Sequence, residues 1–138
     1  MITPAVEGTL SVMRACKTNN VRRCVVTSSI AGITYRERPA DRLNETHWSD
    51  VNWPTISIYA KSKVLAEKAA WDFWEALPEA ERFELVTVLP GFILGPPLRN
   101  ESSFSIDFCK NLLNGNMKEI PVRGMPVVDV RDCAQSHL

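Results

Sequence analysis

Three short apolar runs do most to limit what this chain can fold into. They are Cys24-Val25-Val26, Phe83 to Leu89 and Val127-Val128-Asp129-Val130. A strand with one wet face alternates apolar and polar residues, whereas one buried on both faces reads as an unbroken β-branched run. The stretches between them carry a helical period. Val6, Leu10, Met13 and Cys16 make a stripe in a segment from Pro4 to about Asn19, which Asn19-Asn20 ends. Gly8 is costly there and is expected to allow close packing against a sheet, a plain tolerated glycine being the alternative. A second helix is expected from about Ile58 to Leu77, capped by Thr55 or Ser57 and stopped before Pro78, with Leu65, Ala69 and Phe73 on one face. Phe104 to Leu113 is the third, with Gly115 as its stop, and Asp132 can cap a last helix that only begins before Leu138. Strands alternating with helices predict an α/β fold, a doubly wound parallel sheet with helices on both faces.

At 138 residues the chain can bury one real core. Its 16 basic and 16 acidic residues balance, which argues against nucleic acid or an anionic membrane surface as its partner. No apolar run approaches the roughly 18 residues of a membrane span, and Met1-Ile2-Thr3-Pro4 does not begin a signal peptide. Cys16, Cys24, Cys109 and Cys133 stand singly, and His47 and His137 have no ligand-like spacing. Idle thiols in a reducing compartment, hence a cytoplasmic protein without a metal, are expected. Tyr35 to Asn52 is polar, contains Pro39 and lacks a period, as a long functional loop would.

Tyr59 and Lys63 are four apart at the start of the second helix and so share a face. Alone the pair says little, because Tyr-x3-Lys arises by chance in roughly one chain in ten of this composition. Its context says more. The strand ending in Thr27-Ser28-Ser29 precedes it and the strand ending in Pro90-Gly91 follows it. Sites in open α/β sheets form at the carboxyl ends of strands. A free phenol ionises near ~10 and is a poor acid at neutral pH, while a nearby ammonium favours its ionised form. A serine hydroxyl at a strand end can hold a carbonyl oxygen while a phenol gives it a proton. Ser28 and Ser29 both qualify. Alternation puts Thr27 and Ser29 on one face and Ser28 on the other.

Ser29, the run Tyr59-Ala60-Lys61-Ser62-Lys63 and the following Val64-Leu65-Ala66-Glu67 resemble the active-site strand and helix of the extended short-chain dehydrogenases. Pro4 to Leu10 resembles the helix before the serine strand. Asn44-Glu45-Thr46 with Trp48-Ser49-Asp50 resembles a loop of the dihydroflavonol 4-reductase and cinnamoyl-CoA reductase group. Pro90 to Pro96 resembles the loop beneath the nicotinamide. Ile30-Ala31-Gly32-Ile33 stands where relatives built for nucleotide sugars carry a Val-Tyr-Gly-like turn. The resemblance implies a Rossmann-type fold of the NAD-dependent epimerase/dehydratase superfamily and an NAD(P)H-dependent carbonyl reductase acting on a small molecule. It implies Ser29, Tyr59 and Lys63 as catalytic residues, and Tyr59, Lys63, Pro90, Gly91 and Ile93 at the cofactor. NADP is the family's commoner choice, with NAD the alternative.

Extended members also carry a G-x-x-G-x-x-G-like loop that brings backbone to the pyrophosphate. Glycines 8, 32, 91, 95, 115 and 124 form no such motif. The chain is therefore expected to be the central and C-terminal part of a Rossmann-type domain, lacking the first βαβ unit and most of the substrate domain. A fragment, a truncated gene model or a splice form would read this way. Three functions compete: the reductase; a non-catalytic fold remnant or interaction module that has lost cofactor binding; and a serine hydrolase on Ser28 or Ser29. The hydrolase lacks a G-x-S-x-G elbow. Trp71, Phe73 and Trp74 are expected to pack rather than stack on bases. Trp48 and Trp53 either wall a substrate pocket or simply pack the loop, and Phe104 to Cys109 is expected in a substrate lid by resemblance.

Overall fold

The computed structural model describes residues 1–37, 42–99, 103–119 and 124–138; Pro39 of the long loop lies outside them. The chain forms two compact units, Met1–Leu89 and Pro90–Leu138.

In the first unit, helix α1 (Ile2–Thr18) leads into strand β1 (Arg23–Thr27), the short helix α2 (Ala31–Thr34), helix α3 (Ile58–Glu75) and strand β2 (Glu84–Val88). Strands β1 and β2 pair in parallel with Cys24 opposite Leu85 and Val26 opposite Thr87. Alternation sends Cys24, Val26 and Leu85 to one face, where they pack with Met13 and Cys16 of α1 and Ala70 of α3. Arg23 and Glu84 take the other face and form an exposed ion pair there, and Val86 on that face is 43% exposed.

The end of α1 shows why the chain turns at Asn19-Asn20. Asn20 adopts φ +52°, its N–H donates to the Lys17 carbonyl, and the Val21 N–H donates to the Cys16 carbonyl. This is a Schellman closure with asparagine where glycine is commoner. Beyond α3 the guanidinium of Arg82 returns to the Leu77 and Glu75 carbonyls at 3.1 and 2.7 Å, satisfying acceptors the helix end leaves open. Trp74 donates its indole N–H to the Phe83 carbonyl at 2.6 Å and stands edge-on to Trp71, so these tryptophans do pack the core edge.

The residues that α3 buries are Ala60, Ser62, Val64, Ala66, Glu67 and Ala70, and Phe73 of the expected Leu65, Ala69 and Phe73 face packs partly buried against the core. Small residues there let α3 lie close to α1. Gly8 does not mediate sheet packing, since a side chain at that position would meet open space; it is a tolerated helical glycine.

In the second unit, strand β3 (Phe92–Leu94) pairs in parallel with β4 (Val127–Asp129). Between them lies helix α4 (Phe104–Leu113), and helix α5 (Val130–Gln135) follows at once. Strand β3 corrects the reading of 91–95 as loop alone, and β4 joins it in a separate two-stranded sheet. The bond that starts this pairing runs from the Phe92 N–H to the Pro126 carbonyl, 2.8 Å, and a Cβ on Gly91 would collide with that carbonyl. Gly95, at φ +140°, has room for no side chain beside Val130. Asp129, not Asp132, caps α5, accepting the Arg131 N–H at 2.8 Å. The Arg131 guanidinium beside it holds the Asp129 carboxyl well below the usual carboxylate range.

Cys24 carries a pH signature. Burial, and then the neighbouring Cys16, push its thiol from 9.0 up to about 11. A group raised in the folded state favours folding below its unfolded pKa and loses that contribution as pH climbs to the folded value. Stability should therefore fall between pH 9 and about 11. Cys24→Ala should show a shallower fall than the parent when denaturant midpoints are compared across that range; identical slopes would remove Cys24 as the cause.

Candidate active site

Helix α3 begins where the sequence places its start. The Ser57 hydroxyl accepts the Ala60 N–H at 3.0 Å, so Ser57 rather than Thr55 is the cap. Tyr59 is the second residue of the helix and 51% exposed. Its hydroxyl has no hydrogen-bond partner among the described residues. One turn on, the Lys63 ammonium donates to the Thr27 carbonyl at 3.0 Å. Thr27 is the last residue of β1, so this bond seats the Tyr59–Lys63 face at a strand's carboxyl end.

Ser28 and Ser29 follow, both buried, and the structure separates them. The Ser28 hydroxyl donates to the carboxylate of Glu67, also buried, on α3. Its partner is thus a side chain two helical turns beyond Tyr59. The Ser29 hydroxyl accepts the Ala31 N–H at 3.2 Å, and its own proton stays uncommitted among the described residues. Ser29 lies past the last paired residue, where strand alternation no longer fixes its direction.

The long loop is fastened to the turn after Ser29 by Ser49, which is 2% exposed. Its hydroxyl donates to the Ala31 carbonyl at 2.7 Å and accepts the Tyr35 N–H at 2.8 Å. Its own N–H donates to the Gly32 carbonyl at 2.7 Å, and the Asp50 N–H donates to the Tyr35 carbonyl at 2.7 Å. The adjacent Trp48 receives the Lys68 ammonium 5.3 Å from its ring centroid, a contact that packs the loop onto α3. Trp48, Lys68, Trp71 and Glu67 contribute to an open groove of about 720 Å³ along α3 and β2.

The structure thus joins Lys63 to the end of the strand that Ser28 and Ser29 follow, with Tyr59 on the same helix. Pro90, Gly91 and Ile93 belong to the second unit, where Gly91 meets the Pro126 carbonyl and Ile93 pairs with Val128. Phe104 and Phe108 of α4 lie 6.0 and 5.6 Å from the Phe92 ring, centroid to centroid. Sequence reasoning missed the roles of Glu67 and Ser49. Glu67 had a signal in the chain, being a charged residue four positions beyond Lys63 on the face the helix buries.

Comparison with known proteins gives the family. The model of the 3-beta hydroxysteroid dehydrogenase/isomerase family matches residues 2–120. The chain belongs to that family. It is 33% identical to an anthocyanidin reductase of Vitis vinifera, with all of this chain aligned to 44% of that protein. It is 36% identical to tetraketide alpha-pyrone reductase 1 of Arabidopsis thaliana, covering 43% of it. Among solved structures, vestitone reductase from alfalfa superposes with a TM-score of 0.83 at 32% identity, over 99% of this chain and 45% of that one. Yeast methylglyoxal/isovaleraldehyde reductase Gre2 complexed with NADPH gives 0.84 at 28%, with the same coverage. The chain spans less than half the length of these relatives. The extended short-chain reductase resemblance and the α/β Rossmann-type fold are both borne out. Among the described residues no helix is long and apolar enough to cross a membrane, and no cluster of side chains could hold a metal ion.

Ser49 makes a checkable statement about the loop. Ser49→Ala leaves the Ala31 carbonyl and the Tyr35 N–H without their buried partner, which should cost about 1–3 kcal/mol. Denaturant unfolding should show that loss, with faster hydrogen exchange at the Tyr35 amide; an unchanged midpoint would show that water replaces the hydroxyl.

Proposed function

We propose that the protein carrying these residues reduces a carbonyl group of a small molecule with NADP(H), or with NAD(H). The observation that carries this reading is the Lys63 ammonium, bonded to the strand end at 3.0 Å and one turn from an uncommitted, half-exposed phenol. An ammonium has three donors, and one serves Thr27, which leaves others to hold a ribose hydroxyl. The residues present thus fit a dinucleotide's nicotinamide half. When bound, the nicotinamide supplies the hydride.

The chain's own part is proton delivery and orientation. The Ser29 O–H donates to the carbonyl oxygen and fixes its direction. Tyr59 gives that oxygen a proton as negative charge develops on it. Lys63, with Tyr59, borders the cofactor's ribose. For Pro90, Gly91 and Ile93 the family resemblance alone supports a part in holding the cofactor. The NADPH named with Gre2 supports NADP over NAD. The names of the plant relatives, anthocyanidin and tetraketide alpha-pyrone reductases, support a small organic carbonyl as substrate. Four free cysteines, none in a disulfide among the described residues, fit a cytoplasmic protein.

The glycine loop that grips pyrophosphate in the family is not among these 138 residues. A polypeptide of residues 1–138 alone should bind NADPH weakly, if at all, by calorimetric titration, and should show no measurable carbonyl turnover. Full activity from that polypeptide would refute this.

In the full-length protein, Tyr59→Phe should lower carbonyl reduction by at least about 100-fold while NADPH affinity stays within a factor of about two. Turnover that survives the change would transfer the proton-donor role to another group.

A further inference from the structure

The line of Tyr59 and Lys63 continues to Glu67, four residues further along the same helix. Glu67 is 5% exposed and accepts the hydroxyl of Ser28, itself 5% exposed. The Ser28 N–H donates to the Val88 carbonyl at 2.8 Å, so one residue ties both strands to α3. Gly32 closes over the pair: a Cβ there would lie 3.3 Å from the Glu67 carboxylate and 3.9 Å from the Ser28 hydroxyl. Burying a carboxyl group is costly unless it is hydrogen-bonded. The neighbouring positions Val64 and Ala70 fill the same face with apolar groups. Packing alone therefore does not call for a glutamate here.

Geometry supplies a reason. Two successive turns of α3 are pinned to two successive residues of the strand end, Lys63 to the Thr27 carbonyl and Glu67 to the Ser28 hydroxyl. A single bond would let the helix pivot about it; two bonds about one turn (5.4 Å) apart fix both rotation and translation. Tyr59 precedes the first pin by one turn and Ser29 follows the second by one residue.

We propose that Glu67, through Ser28, is a positioning residue that fixes the register of α3 against the end of β1 and so holds Tyr59 at its working distance from Ser29. This rests on the reductase reading above and adds a residue to it. A misplacement of about 1 Å can cost on the order of 100-fold in rate. The effect belongs on kcat, because neither Glu67 nor Ser28 is assigned a contact with substrate.

The test compares Glu67→Leu, Glu67→Gln, Ser28→Ala and the Leu/Ala double variant in the full-length protein. Glu67→Leu and Ser28→Ala should each lower kcat by about 10- to 100-fold, with the carbonyl KM and the NADPH Kd within about twofold. Glu67→Gln, whose amide oxygen accepts the same hydroxyl, should recover most of the rate. The double variant should be no worse than the poorer single one, as expected for two halves of one contact. The proposal falls if Glu67→Leu keeps its kcat, if Gln is as damaging as Leu, or if the two losses multiply. Should the leucine variant not fold, Ser28→Ala and Glu67→Gln decide alone. If the unaltered protein reduces no carbonyl, the reductase reading fails, and the pin is judged by hydrogen exchange. Amides of residues 28–32 should then exchange at least about tenfold faster in Ser28→Ala than in Glu67→Gln, and equal rates would overturn it.

Discussion

A lysine ammonium lying on the last carbonyl of a strand sets the terms for the rest of the first unit. That carbonyl belongs to Thr27, the last residue of β1, and it accepts the ammonium at 3.0 Å. By taking the acceptor, Lys63 draws the first turns of α3 over the end of the sheet. Met13, Cys16, Cys24 and Ala70 fill the space behind, and they leave little room for the helix to tilt. A charged group thus does at the rim what apolar burial does within, and the rim is where a reacting molecule would sit.

The polar contacts around this point form a connected set. Ser57 starts the helix, Lys63 and Glu67 hold it, and Ser49 ties the long loop to the turn that follows Ser29. Each uses a short side chain or a charge to bond a backbone or hydroxyl group at the helix start, the strand end or the turn after it. Ser29 and Tyr59 stand apart, because each keeps a proton that nothing among the described residues accepts. On the reductase reading proposed above, those two protons are the ones offered to a ligand oxygen.

Much of this was legible in the chain, and the reasons for the exceptions are physical. β-branched runs and capping residues placed β1, β2, α3 and α4 within a residue or two, since those signals are local. Strand β3 escaped because Phe92-Ile93-Leu94 lies between turn residues and gains its pairing from distant Val127–Asp129. The buried positions of α3 fall mostly on small residues, Ala60, Ser62, Ala66 and Ala70, which apolar bulk in the chain does not mark. Ser28 and Ser29 could be distinguished only in part. Alternation predicts opposite directions for them, but both lie past the end of β1, and the carboxylate that claims Ser28 comes from a residue 39 positions away.

Gly91 and Gly95 bracket β3, one against the Pro126 carbonyl and the other against Val130. Neither place admits a larger residue without moving the chain. The three positions between them are held by the ladder to Val127–Asp129, which uses backbone alone. Evolution, or a designer, can therefore exchange Phe92, Ile93 or Leu94 to alter what this stretch presents while its path stays the same. Diversity in such a segment is a change of chemistry on a fixed rail.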